Sequence, residues 1–260
     1  LSVSGFGQNG PYRLRKAYDP VAQALSGVMG LTGHPDGPPA KAGVPVGDLA
    51  PAMYAVSAVL AALLWRERLG KGEYIDISML DCDIAWLTVQ AAIYLADGTV
   101  PRRYGTSNPA RAPSSAYLTS DGRYIHVTAN NTQWPVLCNL VGLPELGGDP
   151  RLADNRGRLE HYDEIMPRFR DAMRQRTAAE WDRILGEAGI PCGIVNDLDE
   201  VFADPQVVAR EVVGTFQFPG LGVVKALRLP IRYQELDTSI KTRPPMLGEH
   251  SREILAEAGY

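Results

Sequence analysis

Residues 43–78, "GVPVGDLAPAMYAVSAVLAALLWRERLGKGEYIDIS", decide the fold of this chain. From Pro51 onward, Met53, Val56, Leu60, Leu63 and Leu64 recur at helical spacing, so a helix is expected to open near Pro51 with those residues on one face. Gly70 ends it behind Arg66 and Arg68, whose charges suit the negative end of the helix dipole. "EYIDISML" then alternates Tyr74, Asp76 and Ser78 against Ile75, Ile77 and Met79, the pattern of a strand with unlike faces. A second helix is expected over 80–96. Helix, strand and helix in quick succession indicate an α/β layered structure rather than a bundle.

The one early charge in this stretch, Asp48, stands between Gly47 and Leu49 at the mouth of the apolar run. Placed just before a helix, it faces unpaired N–H groups and the positive end of the dipole, which favour an anion. Two roles fit that position. It can hold the helix start as a capping residue. Alternatively, flanked by Gly47 on one side and apolar Leu49 and Ala50 on the other, it can serve as an accessible, partly dehydrated nucleophile.

Upstream, "PVAQALSGVMGL" (20–31) reads as a helix and "TGHPDGPPAKAGVP" (32–45) as a loop that delivers the chain to Asp48. Before both, "RKAYDP" gathers Lys16, Tyr18 and Asp19. Asp19 beside Pro20 suits an N-cap, and Lys16 a solvated charge. The same three residues would also make a half-site for a phosphate and a reacting carbonyl. "GFGQNG" (5–10) lacks the G-x-G-x-x-G spacing of a dinucleotide-binding turn. The opening "LSVSGFGQNGPY", without a methionine, reads as the middle of a fold, so preceding residues are expected.

Downstream, "DGTVPRRYGTSNPARAPSS" (97–115) has no periodicity and reads as a linker or functional loop. The expected organisation is therefore 1–96 as part of a large domain, 97–115 as linker or active-site loop, 116–196 as a small α/β domain, and 197–260 as linker and return. In 197–260 a helix broken at Pro205, short strands, and a final helix with Glu249 in its first turn are expected.

Composition narrows the function. With 45% hydrophobic and 22% charged residues the chain is globular, and a net charge of −4 argues against a nucleic-acid partner. Three scattered cysteines offer neither a disulfide framework nor a CxxC metal site, and fit a reducing, cytoplasmic setting. The four histidines show no metal-ligand spacing. The run 49–65, interrupted by Pro51, Tyr54 and Ser57, falls short of the ~18 unbroken apolar residues of a membrane span, so no membrane association is expected. No serine sits in a G-x-S-x-G elbow.

Seven blocks, "GFGQNGPY" (5–12), "AYDPVAQALSGVMGLTGHPDGPP" (17–39), "GVPVGDLA" (43–50), "LLWRERLGKGEYIDISMLD" (63–81), "AGIPCGIVN" (188–196), "DPQV" (204–207) and "PPMLGEHS" (244–251), occur in the order found in class III CoA-transferases, and the chain resembles that family, CaiB/BaiF, over essentially its whole length. The resemblance implies a Rossmann-like large domain, here without its N-terminal part, a small α/β domain, and an interlocked homodimer. It implies an enzyme with no permanently bound cofactor and no metal, acting on acyl-CoA and a small carboxylic acid. Asp48 matches the family nucleophile, which attacks the acyl-CoA carbonyl to give a mixed anhydride and then an aspartyl-CoA thioester. Tyr18 and Asp19 match an aromatic–acidic pair near the active site, and Lys16 a basic residue near CoA.

Two departures bear on specificity. "GTSNPARAPSS" replaces the glycine run of formyl-CoA:oxalate transferases, and Leu69 stands where the family's "RTGKG" has threonine. In the loop, Arg102, Arg103 and Arg111 are candidates for an arginine fork on the distal carboxylate of a dicarboxylic acid, with Arg111 as the site residue, or are linker charges. The related α-methylacyl-CoA racemases pair the aspartate with a histidine where this chain has Tyr18, and a phenol with pKa of about 10 is a poor base at neutral pH. Transfer is therefore favoured over racemisation; a third reading is an inactive fragment of the family.

Overall fold

The computed structural model describes residues 1–260, which divide into two compact units, Leu1–Ile194 and Val195–Tyr260. It is an α/β chain.

In the first unit, strand β1 (Ser2–Ser4) pairs in parallel with β2 (Asp76–Ser78), Val3 opposite Ile77. Helix α1 (Asp19–Ser26) and the short α2 (Val28–Leu31) replace the single helix expected over 20–31. Gly27 separates them with φ at 96°, a left-handed conformation that glycine takes without steric cost. Helix α3 (Val46–Leu69) opens five residues earlier than expected and ends at Gly70, whose N–H bonds the carbonyl of Arg66 at 2.8 Å. Pro51 thus lies inside α3, and its missing N–H leaves Gly47 C=O without an i+4 donor. The helix expected over 80–96 is two, α4 (Met79–Ala85) and α5 (Thr88–Asp97), bent by 79°.

The packed face of α3 is not the one its large apolar residues marked. Gly47, Ala50 and Pro51 are buried, and Ala55 and Ala58 pack on the small cluster of Ala50, Ile77 and Cys82. Met53, Val56, Leu60 and Leu64 are exposed. Small residues let α3 approach α1 and α4 closely, which fixes its first turn. By length and composition alone α3, which holds an 18-residue window of mean hydropathy 1.6, is long and apolar enough to cross a membrane, whereas the interrupted run 49–65 was expected to fall short.

No helix or strand lies between α5 and β3 (Ser114–Leu118). Strands β3, β4 (Tyr124–Thr128) and β5 (Cys192–Ile194) form an antiparallel sheet in that order, with Ala116 opposite His126 and Val127 opposite Cys192. Helices α6 (Trp134–Leu140), α7 (Pro144–Gly148), α8 (Asn155–Glu160), α9 (Tyr162–Met173) and α10 (Ala178–Glu187) belong to the same unit. Tyr117, Ile125, Val127, Trp134, Phe169 and Trp181 lead its core. The two indoles satisfy their N–H groups internally, Trp134 on Leu146 O at 3.1 Å and Trp181 on Met173 O at 2.7 Å, as buried polar groups must.

The second unit holds α11 (Leu198–Ala203), α12 (Pro205–Ala209), a β6 (Val213–Phe218) and β7 (Gly222–Leu227) hairpin, and α13 (Ser251–Glu257). The break at Pro205 is as expected, whereas Glu249 precedes the last helix rather than occupying its first turn. There it pairs with Arg243, which holds its carboxyl down at about 2.

Candidate active site

The parallel pair β1–β2 organises the residues singled out in the sequence. At the carboxyl end of β1, Gly5 O accepts Leu80 N–H at 3.2 Å, tying that turn to the start of α4. A side chain on Gly5 would sit 2.5 Å from the Cβ of Ala17, so the strand end lies directly against the segment leading to Tyr18 and Asp19. "GFGQNG" is a structural turn. Gln8 N–H donates to Asp76 Oδ2 at 2.8 Å, and Gly7 takes φ of 80°. Arg15 stacks over Phe6 and Tyr12, 5.6 and 5.1 Å from their ring centroids. Lys16 is exposed beside it.

Asp19 does not cap its own helix. It is the first residue of α1, behind Tyr18 as N-cap, and its side chain reaches across to α3. Asp19 Oδ1 accepts Gly47 N–H at 2.9 Å and Gln23 Nε2–H at 2.8 Å, and Gln23 Oε1 accepts Ala42 N–H at 2.9 Å. A buried aspartate and a buried glutamine thereby fasten both ends of the segment from Ala42 to Gly47. Tyr18 points outward, 79% exposed.

Asp48 lies in the first turn of α3 rather than before it, one residue past the N–H that Asp19 caps. Its carboxylate is exposed and no protein donor engages it. The missing hydrogen bonds leave its lone pairs available to a reagent.

A third carboxylate, Asp83 on α4, escapes any reading of the sequence. It is fully buried, and neither oxygen has a hydrogen-bond partner. A Cβ on Gly47 would lie 3.1 Å from Asp19 Oδ1 and 3.2 Å from Asp83 Oδ2, so both carboxylates press on the same glycine. Burial, then the charges of Asp19 and Asp48, push the Asp83 carboxyl above its ordinary range. Hydropathy points the wrong way here, because the adjacent Ile84 is 44% exposed. Of the three carboxylates around this turn, Asp48 alone is open to a reagent.

Burial disfavours the thiolate form at all three cysteines. Burial raises Cys82, and it pushes Cys138 up to about 12 and Cys192 to about 11.

The three loop arginines are not a fork. Arg103 is engaged by carbonyls of the 30–37 turn, Nη2 to Gly37 O at 2.7 Å and Nε to His34 O at 3.2 Å, which pins the loop with the Gly105 N–H to Gly33 O bond. Arg102 stacks on Tyr104, 5.5 Å from its centroid, beside a cavity of about 450 Å3. Arg111 lines a separate cavity of about 340 Å3.

Comparison with known proteins identifies the family. The model of the family described as CoA-transferase family III matches residues 1–251. Succinyl-CoA:glutarate CoA-transferase of Mus musculus is 36% identical over 256 residues, covering 98% of this chain and 59% of that protein. Succinate–glutarate CoA-transferase of Agrobacterium fabrum is 37% identical over 260 residues, with 98% and 64% covered. The crystal structure of a CaiB/BaiF family protein from Brucella suis superposes with a TM-score of 0.82 at 37% identity, covering 98% of this chain and 66% of that one. The chain spans about three fifths of the length of these curated relatives. It belongs to CoA-transferase family III, the CaiB/BaiF family.

Proposed function

We propose that the protein transfers CoA from an acyl-CoA to a carboxylic acid, with Asp48 as the nucleophile. The observation that carries this reading is the exposed, unengaged Asp48 carboxylate on a first turn clamped from beneath by Asp19. Asp48 attacks the thioester carbonyl, and CoA leaves as its thiolate, forming a mixed anhydride. The thiolate attacks the aspartyl carbonyl, releasing the donor acid and leaving an aspartyl-CoA thioester. The acceptor carboxylate attacks that thioester, expelling the thiolate and forming a second anhydride. Attack of the thiolate on the acceptor's acyl carbon then yields the new acyl-CoA and frees Asp48. Each step exchanges one activated acyl bond for another, so no external energy source is needed.

Asp19 acts on this chemistry through Gly47 as a positioning residue, while exposed Tyr18 faces the reacting groups and Lys16 a CoA phosphate. The relatives named for glutarate and succinyl-CoA support a small dicarboxylic acid as acceptor, with Arg111 on its distal carboxylate. The working unit in this reading is a homodimer that contains a Rossmann-like CoA domain, and the uncovered apolar residues of α3 are consistent with burial in such an assembly.

Incubating the full-length enzyme with succinyl-CoA and hydroxylamine tests the central step. Mass spectrometry should find an aspartyl hydroxamate at Asp48; an unmodified Asp48 in a turning-over enzyme would remove the proposal. Racemisation of a 2-methylacyl-CoA without any acceptor acid would place the enzyme in the other reaction class.

A further inference from the structure

The cavity of about 340 Å3 in the first unit is lined by Arg111, Asn130, Asn131, Thr132, Asn155 and Arg158. Arg158, on α8, is fully buried, and its acceptors are neutral: Nε donates to Ala112 O at 2.6 Å, Nη1 to Leu152 O at 2.9 Å and Nη2 to Asn131 Oδ1 at 2.7 Å. A buried cation ordinarily has a carboxylate partner. The carboxylate near Arg158 is Asp154, which caps α8 through Gly157 N–H at 2.8 Å and forms no ion pair with it. Arg111 lies close enough for its charge to oppose that of Arg158, and its own guanidinium has no partner.

The amides make the imbalance directional. Asn130 Oδ1 accepts from Thr132 Oγ1 and Gln133 N, at 2.8 and 3.0 Å. Asn131 Oδ1 accepts from Arg158, which can only donate, so its amide orientation is fixed by chemistry. Asn155 is engaged at both ends, by Ala112 N–H at 3.1 Å and Ala110 O at 3.0 Å. All three side-chain carbonyls are thus used within the protein. Left over are Nδ2 of Asn130 and of Asn131, the Arg111 guanidinium, and two N–H groups of Arg158, since a guanidinium carries five. The cavity is rich in donors and holds two guanidinium groups without an ion-pair partner; Arg158 is offset only by the face of Trp134, 5.3 Å from the ring centroid, and by the more distant charge of Asp154.

We propose that this cavity is an oxyanion site, in which Arg111 and Arg158 supply the charge and Asn130 and Asn131 the amide donors for a carboxylate or phosphate group of a small ligand. The site rests on and deepens the role proposed above for Arg111 on the acceptor's distal carboxylate, while anion binding there can be read without acyl transfer at Asp48. Such a group would relieve the repulsion between the two arginines and satisfy donors that the protein leaves free.

The test is a titration followed by side-chain 15N–1H NMR of the Arg158 Nε and of the Asn130 and Asn131 amides. Succinate and inorganic phosphate are the two probes, at an ionic strength held constant with chloride. Saturable shifts of these resonances are expected; saturation by succinate alone assigns a carboxylate, and by phosphate alone a phosphate. Arg111→Ala should weaken binding by about tenfold or more. Asn131→Asp places a carboxylate against Arg158 and should abolish saturation while the backbone amide spectrum stays dispersed, and Arg102→Ala should bind as the parent does. Shifts that grow linearly with either anion, or an Arg111→Ala protein that binds as tightly as the parent, would overturn the site. The readout is independent of hydroxamate formation at Asp48, so either result can fail without the other.

Discussion

The carboxylate of Asp19 accepts the backbone N–H of Gly47 at 2.9 Å, so the helix that carries Asp48 is capped by a residue from a different helix, 28 positions earlier. The tie places the nucleophile candidate by tertiary contact rather than by its own loop. It also explains Gly47, because any side chain there would press on Asp19 and Asp83 at once.

Removing that tie should loosen the turn. Asp19→Ala is expected to cost about 1–2 kcal/mol, the usual value of a lost helix cap, whereas Asp19→Asn keeps an acceptor oxygen and should cost less. Denaturant unfolding of both variants measures the difference; equal losses would show that charge, not the cap, is what Asp19 contributes.

At Asp48 the expectation is reversed, with a large effect on rate and a small one on stability. Asp48→Asn should lower turnover on the order of 10³-fold or more, as removal of a covalent nucleophile does. The lost carboxylate in the first turn of α3 should cost less than about 1 kcal/mol. Steady-state kinetics beside thermal melts decide this, and a variant within tenfold of the parent rate would mean that Asp48 carries no acyl group.

Gly47→Ala sets two forces against each other. Alanine gains up to about 1 kcal/mol of helix propensity over glycine, but its Cβ would lie 3.1 Å from the backbone carbonyl of Asp19, and overpacking of this kind costs about 1–3 kcal/mol. Net destabilisation is expected, together with a fall in activity from displacement of the turn. A stabilised, active variant would show that the turn has room to move.

Asp83 should make stability depend on pH. Its folded pKa is raised above the ordinary 3.8, so between the two values the native protein holds a proton that the unfolded chain has released. Stability therefore declines as pH rises through that window and remains lower above it. Melting temperatures of the parent and of Asp83→Asn, measured from acid to neutral pH, should diverge in favour of the variant as pH rises. A constant offset would mean that Asp83 is solvated in solution.

Arg103→Ala should release the 97–115 loop from the 30–37 turn, since two close bonds to carbonyls are lost. A loss of about 1–2 kcal/mol is expected, with faster amide exchange at Gly105, whose N–H bonds Gly33 O. Unchanged exchange there would assign the clamp to the backbone bond alone.

The sequence by itself determined the α/β class, the succession of helix and strand around residues 43–78, the break at Pro205, and the family, because these rest on local periodicity, turn chemistry and collinear motifs. It also singled out Asp48, whose glycine and apolar flanks are adjacent in the chain. Only the tertiary structure decided that α3 starts at Val46, that Asp19 caps α3, that the small residues rather than Leu60 and Leu64 form its packed face, and that three neighbouring arginines go to three places. Asp83 and Arg158 belong to the same group. Both are charged residues that any hydropathy pattern puts in solvent, and both are buried by contacts with segments far away in sequence. The physical reason is common to all of them: periodicity records which residues can share a face, whereas burial and hydrogen-bond partners depend on which other segment arrives to meet that face.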